Sequence, residues 1–220
     1  MAISKFNYNS FNVTPVASAA LAFDADADGF STVSASSMTL IKTLTASSSA
    51  TLSFVDGASD VVLDNTYPVY LFKFISLHPA TDNVLFQFNM SVDSGSNYNV
   101  TKTTTHFDAL HNEEGSAAGL TYRTGNDLAQ GTGFKTLVEE VGGDNDQNCC
   151  GELFLFNPSS TTFVKHFLAR FNNTRRSNYS ADHHSAGYGN TTSAVDAVQF
   201  KMSSGNIDSG TIKLYGIKDS

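Results

Sequence analysis

Apolar and polar residues alternate one for one through much of this chain beyond residue 37. Period-two alternation marks a strand with one buried and one wet face. The clearest case is near the C-terminus. In residues 195–202, Val198, Phe200 and Met202 face away from Gln199 and Lys201; in residues 211–217, Ile212 and Leu214 oppose Thr211, Lys213 and Tyr215. A Gly/Asn/Asp turn joins the two, and a chain that finishes on such a strand is expected to close a sandwich or barrel. Residues 69–77 are the most apolar run, rich in aromatics and too short for a typical helix, so they predict a central strand. Residues 84–90 run back across the turn at 78–83, and this pair reads as the best hairpin. Residues 152–157 and 162–171 form a second hairpin across Pro158-Ser159-Ser160. Further strands are predicted at 38–45, 50–55, 98–105 and 119–123, with a helical turn or loop at 106–112 and a short helix at 134–141. Residues 172–188 read as a polar, aromatic-bearing loop. The total, about eight to ten strands with turn signals between them, predicts an all-β protein: an antiparallel β-sandwich, jelly-roll-like.

Residues 1–36 break the pattern. A stretch of small and apolar residues leads into Phe23-Asp-Ala-Asp-Ala-Asp-Gly-Phe30 and a Ser/Ala run. The division predicted is an N-terminal arm or linker over 1–36 and a sandwich over 37–220. A chain of 220 residues buries a sizeable core without covalent staples, and seventeen Phe and eight Tyr, with no Trp, supply it. The formal charge of −8 argues against non-specific binding to nucleic acid or anionic membrane. No run approaches the length of an apolar spanning helix, so no membrane insertion is expected. Residues 1–10 lack a basic patch followed by an apolar segment, so no secretion signal is expected, and the Asn-x-Ser/Thr sequons read as by-products of composition. The two cysteines, Cys149 and Cys150, are adjacent; a bond between neighbours closes a strained ring, so two free thiols are predicted.

The sharpest local motif is Asp24-x-Asp26-x-Asp28-Gly29, which matches the first half of a calcium loop. An EF-hand requires Glu at the twelfth position, where this chain has Ala35, and no helical pattern flanks the loop, so that motif is rejected. Two readings stand: a Ca²⁺ site completed by other residues, or a solvated acidic linker. Ca²⁺ is the only cofactor the sequence suggests. Asp144 and Asp146 near Cys149 and Cys150 lack the spacing of a zinc site, and no His-x-x-x-His pattern accompanies His183 and His184. His78, before Pro79, reads as a turn residue. The pairs Glu113–Glu114 and Glu139–Glu140 read as solvated faces. With no nucleophile elbow, phosphate loop or dinucleotide fingerprint, no enzyme is expected. One cluster stands out for binding: Arg170, Arg175, Arg176, Tyr179, His183, His184 and Tyr188. Forked donors and aromatic faces in a loop suit a sugar or a partner surface, against the alternative of a solvated loop or subunit contact.

Five strings add a resemblance: Met38-Thr-Leu-Ile-Lys-Thr-Leu-Thr-Ala-Ser-Ser48, Tyr70-Leu-Phe-Lys-Phe-Ile-Ser-Leu-His-Pro-Ala80, Gly95-Ser-Asn-Tyr-Asn-Val-Thr-Lys-Thr-Thr-Thr105, Phe156-Asn-Pro-Ser-Ser-Thr-Thr-Phe-Val-Lys-His-Phe167, and Lys201-Met-Ser-Ser-Gly-Asn-Ile-Asp-Ser-Gly-Thr-Ile-Lys-Leu-Tyr-Gly-Ile-Lys218. Over about residues 38–220 they resemble structural (virion) proteins of marine tailed bacteriophages, including phages of cyanobacteria and of abundant ocean bacteria. The resemblance implies a non-enzymatic accessory protein on the particle surface, as head decoration or as part of a tail fibre or appendage. It would be attached through the N-terminal arm and partnered by other virion proteins and by copies of itself, with a trimer expected. The alternative is a fibre adhesin that recognises a host surface glycan. A polysaccharide depolymerase is the least favoured reading, since no carboxylate pair stands out. The resemblance carries no catalytic residues.

Overall fold

The computed structural model describes residues 20–23, 30–33 and 37–218. The chain divides into two compact units, Met1–Thr39 and Leu40–Ser220. In the first, strands β1 (Ala20–Phe23) and β2 (Phe30–Val33) pair antiparallel. Asp24, Asp26 and Asp28 fall between them and lie outside the described residues, as does the rest of the predicted arm.

Twelve strands follow: β3 (Met38–Thr45), β4 (Leu52–Val55), β5 (Val69–Pro79), β6 (Val84–Ser91), β7 (Lys102–Asn112), β8 (Ala118–Tyr122), β9 (Lys135–Val141), β10 (Cys149–Phe156), β11 (Lys165–Thr174), β12 (Tyr179–Gly189), β13 (Ala197–Met202) and β14 (Ile207–Ile217). One 3-10 turn at Thr124–Asn126 is the only helical element among the described residues, and no helix there is long and apolar enough to cross a membrane. The strands make two antiparallel sheets packed as a β-sandwich, as the alternation predicts. The larger has the order β3-β14-β5-β10-β11-β12-β7-β8 and the smaller β4-β13-β6-β9.

Phenylalanines from both inner faces fill the space between the sheets. Phe200 of β13 lies 5.0 Å from Phe74 and 5.3 Å from Phe72 of the large sheet, and 6.0 Å from Phe86 and 6.3 Å from Phe88 of its own. All five rings are buried. The contacts across the sheets are edge-on, the arrangement that ring quadrupoles favour.

Several sequence expectations change. β5 and β6 are strands as predicted, but they belong to different sheets and are not a hairpin; the same holds for β13 and β14. Alternation reports which face of a strand is buried, and in a sandwich both sheets bury a face against one core, so the pattern does not name the partner. The second predicted hairpin does form, with Leu155 opposite Phe167 and Glu152 opposite Arg170. Residues 106–112 continue β7, and most of the predicted loop 172–188 is the end of β11 and the whole of β12 up to Tyr188. His78 sits near the end of β5, with its ring Nε2 3.2 Å from the Asp144 carbonyl. The predicted helix at 134–141 is β9, whose register against β6 slips between Val141 and Val138. Glu140 has φ 50° at that slip, and the bulge breaks the alternation that would otherwise mark a strand.

Candidate functional site

The four strands β11, β12, β7 and β8 extend the large sheet, and between them they turn charge inward. Alternation places Lys102, Thr104, His106 and Asp108 of β7 on the buried side and Thr103, Thr105, Phe107 and Ala109 outward. On β12, His183 and Ser185 go in while Asp182, His184 and Ala186 go out. β9 packs against β11 and β12.

Asp108, fully buried, is the centre of the inner layer. Arg123 donates to it through Nε at 2.8 Å and Nη2 at 3.0 Å, and Arg175 Nη2 donates at 2.7 Å. Arg175 also pairs with Glu139 at 3.2 Å and Glu140 at 3.5 Å. The bulge in β9 is what presents these two successive glutamates, so the expectation of a solvated pair is corrected: Glu139 has 18% of its side chain exposed and is an ion-pair partner. Burial alone would raise the Asp108 carboxyl, but the hydrogen bond and charge of Arg123, with His183 and Arg175, hold it below its ordinary value.

Beside this cluster runs a hydrogen-bonded chain. Lys135 Nζ lies 3.3 Å from His106 Nδ1, His106 Nε2 3.3 Å from His183 Nδ1, and His183 Nε2 3.0 Å from Asn173 Oδ1. One tautomer set satisfies all three contacts: Lys135 donates to His106, His106 to His183, and His183 to Asn173. Both imidazoles are then uncharged. Burial and the nearby Lys135 charge push His106 down to about 3, and burial with the Arg175 charge pushes His183 down to about 4. Burial brings the Lys135 amine down to about 8 and Lys102 to about 7. Lys102 Nζ donates to the Val100 carbonyl at 2.6 Å and to Asn89 Oδ1; Lys135 Nζ donates to the Asn126 carbonyl at 2.9 Å; Lys165 Nζ donates to the Phe163 carbonyl at 2.7 Å. Each of these three buried lysines thus ties the backbone of a connecting segment to the sandwich. Among the described residues, only Asp127 Oδ1 and Arg175 Nε are buried side-chain polar atoms without a partner. No group of three or more His, Cys, Asp or Glu there is placed to hold a metal ion.

The outer side of the same strands carries exposed apolar side chains among polar ones. Phe107 is 40% exposed, Leu168 52%, Tyr122 54% and Leu120 72%. A hollow of about 350 Å³ opens over Ala186, a small residue placed in register between Leu168 and Thr105. Phe154, Leu168 and Phe107 wall it, with Arg170 and Glu152 at its rim. The Phe107 ring stacks on the His184 imidazole at 4.8 Å and 4°, a cross-strand pair between register neighbours. Arg170 forks onto Asp182 through Nε at 3.0 Å and Nη2 at 2.8 Å, and Lys73 pairs with Glu152 at 3.6 Å.

The seven residues grouped from the sequence therefore do not share one surface. Arg170, His184 and Tyr188 lie outward on β11 and β12, where Tyr188 meets His166 at 5.9 Å. Arg175 and His183 belong to the buried layer. Arg176 is exposed in the β11–β12 turn, and Tyr179 opens β12. Asp108, Arg123, His106 and the buried lysines were missed. For His106 and Asp108 the signal is the alternation of 102–112, which the expectation of a helical turn or loop at 106–112 hides. Cys149 is buried and Cys150 exposed, and both are free, as the adjacent pair predicts.

No family model, no curated protein and no solved structure matches the chain.

Proposed function

We propose that this protein is a non-enzymatic structural component displayed on the surface of a tailed-bacteriophage particle, as head decoration or as part of a tail fibre or appendage. The observation that carries the reading is the strand order. Setting aside β7–β8 and β11–β12, successive strands cross between sheets at every step, with β3-β14-β5-β10 facing β4-β13-β6-β9. That alternation supports the jelly-roll reading, an architecture used by viral capsid and lectin domains. The two remaining strand pairs enter as insertions that widen one sheet. The buried charges support a structural role as well, because most of their donors and acceptors, Arg175 Nε and Asp127 Oδ1 excepted, are spent on one another and on backbone. The five strings that resemble phage virion proteins supply the particle context. Immunogold electron microscopy of purified phage with an antibody against this chain tests the reading. Gold on the head or the tail is expected, and unlabelled particles would overturn it.

A second reading, a glycan-binding adhesin, is favoured by the hollow over Ala186, where apolar walls stand beside the Arg170 and Glu152 side chains. Glycan-array binding that is lost in Arg170→Ala is its expected result, and a silent array would sink it.

A further inference from the structure

The outer face of the large sheet carries two rows of side chains that run across the strands. The first, read through the register, is Lys213 (β14), Lys73 (β5), Glu152 (β10), Arg170 (β11), His184 (β12) and Phe107 (β7). The second, two residues along, is Tyr215, Leu71, Phe154, Leu168, Ala186 and Thr105, of which Leu71 is already buried in the single chain. Both rows are complementary to their own reversal. A twofold axis parallel to the strands and passing between β10 and β11 reverses the strand order of a second copy laid face to face on the first. Glu152 then stands opposite Arg170 of the second copy, and Arg170 opposite its Glu152. Lys73 meets the His184–Asp182 pair, and Lys213 meets the Phe107 ring. In the second row Phe154 meets Leu168, at the edge of the hollow over Ala186. In these two rows the positions beside the axis find an opposite charge or an apolar partner. A face that is its own complement is what an isologous contact requires.

The size is also sufficient. Six strands, β14 to β7, spaced by about 4.8 Å and in contact over about eight residues of about 3.4 Å, present about 800 Å². A standard stable interface takes about 800 Å² from each partner. Aligned packing of twisted sheets keeps the match closest at the axis, where Glu152, Arg170, Phe154 and Leu168 lie.

We propose that the outer face of the β3–β8 sheet is a homodimer interface, in which two copies pack sheet on sheet about a twofold axis between β10 and β11. This puts a twofold contact where the virion resemblance led to a trimer, and it holds or fails independently of the particle reading, because it is tested on purified protein. The mass of the full-length chain is measured by light scattering and sedimentation, for the native protein and for Glu152→Arg and Arg170→Glu. The native chain is expected to be a dimer at micromolar concentration. Each variant sets like charges against each other twice per dimer, so association weakens on the order of a hundredfold or more. An equimolar mixture of the two variants regains dimers, because both cross pairs are then of opposite sign in the heterodimer. Circular dichroism of each variant shows whether the sandwich is intact, and dimers regained on mixing show it again. A native chain that stays monomeric at tens of micromolar would overturn the inference, as would variants that still dimerise or a mixture that does not recover. A monomer that binds saccharides on the array would assign the hollow to glycan and overturn it too.

Discussion

Replacing Asp108 by Asn tests whether the inner layer is a closed charge network. The substitution keeps the shape and removes the charge. In the native chain the carboxylate accepts three hydrogen bonds, two from Arg123 at 2.8 and 3.0 Å and one from Arg175 at 2.7 Å, at a site with no solvent exposure. The Asn amide keeps one acceptor oxygen and turns an NH₂ group towards a guanidinium, donor against donor. Removing one partner of a buried pair costs about 3–5 kcal/mol. Two facts place this case near the lower end of that range. Arg175 retains Glu139 and Glu140, and the Arg123 side chain is 29% exposed and keeps Glu139 at 3.4 Å. The expected loss is therefore about 3 kcal/mol, which at about 2–4 °C per kcal/mol for a domain of this size lowers Tm by about 6–12 °C. Urea and thermal unfolding, followed by circular dichroism, read it directly. A loss below about 1 kcal/mol, the value of an exposed pair, would mean that water reaches Asp108 and that the network is not closed.

Three further outcomes follow from other parts of the sandwich. The folded pKa values of His106 and His183, about 3 and about 4, lie below the unfolded value, so the unfolded chain binds more protons between pH 4 and 6.5. Stability should therefore rise with pH across that window, by up to about 1.4 kcal/mol per pH unit for each histidine, and be lost on acidification; urea midpoints that stay flat from pH 4 to 7 would refute it. Phe200→Ala removes the ring that spans both sheets and should cost about 3–5 kcal/mol in urea unfolding, a loss under 2 kcal/mol meaning that the core collapses around the gap. A thiol reagent should titrate Cys150 alone in the folded protein and both cysteines in denaturant, since Cys149 is fully buried and burial pushes its thiol up; two fast thiols in the native state would contradict the burial.

The strands themselves were legible in the sequence wherever alternation paired a large apolar set with a polar one, as in residues 84–90 or 165–171. Pairing was legible only for β10 and β11, where a short turn keeps both strands in one sheet. β5–β6 and β13–β14 carry equally good turns, yet each turn crosses from one sheet to the other, because the inner faces of both sheets meet the same phenylalanine core. β9 was hidden by its bulge: Glu139 and Glu140 in succession mimic a helical face. β12 was hidden by composition. Tyr179-Ser-Ala-Asp-His-His-Ser-Ala-Gly-Tyr-Gly189 alternates in burial, but its inward residues are Ala, His and Ser, so no hydropathy contrast records the period. The binding cluster failed for the same reason. Once β12 was taken as a loop, neighbours in sequence such as His183 and His184 were read as neighbours in space, whereas a strand sends them to opposite faces.

The arrangement least visible in the sequence, charge inside and Phe107 outside on β7, is also the most informative about function. A sandwich that needed only to fold would place Phe107 inward and His106 and Asp108 in water, since a buried ion cluster is no more stable than a well-packed apolar one. Shifting β7 by one residue would do so, because a single-residue slip exchanges the two faces. The chain instead holds the opposite register with eleven ladder pairs to β12, from Lys102–Gly189 to Asn112–Tyr179. It satisfies the inward charges with Arg123, Arg175, Glu139 and Lys135, drawn from three separate segments. Stability alone does not account for that investment of residues. A requirement for Phe107 on the outer face would, because the register that displays it is the one that buries Asp108. Local departures from the fold's own logic concentrate where a protein meets something else. Here the departure runs through β11, β12 and β7, which form half of the face proposed to receive a second copy.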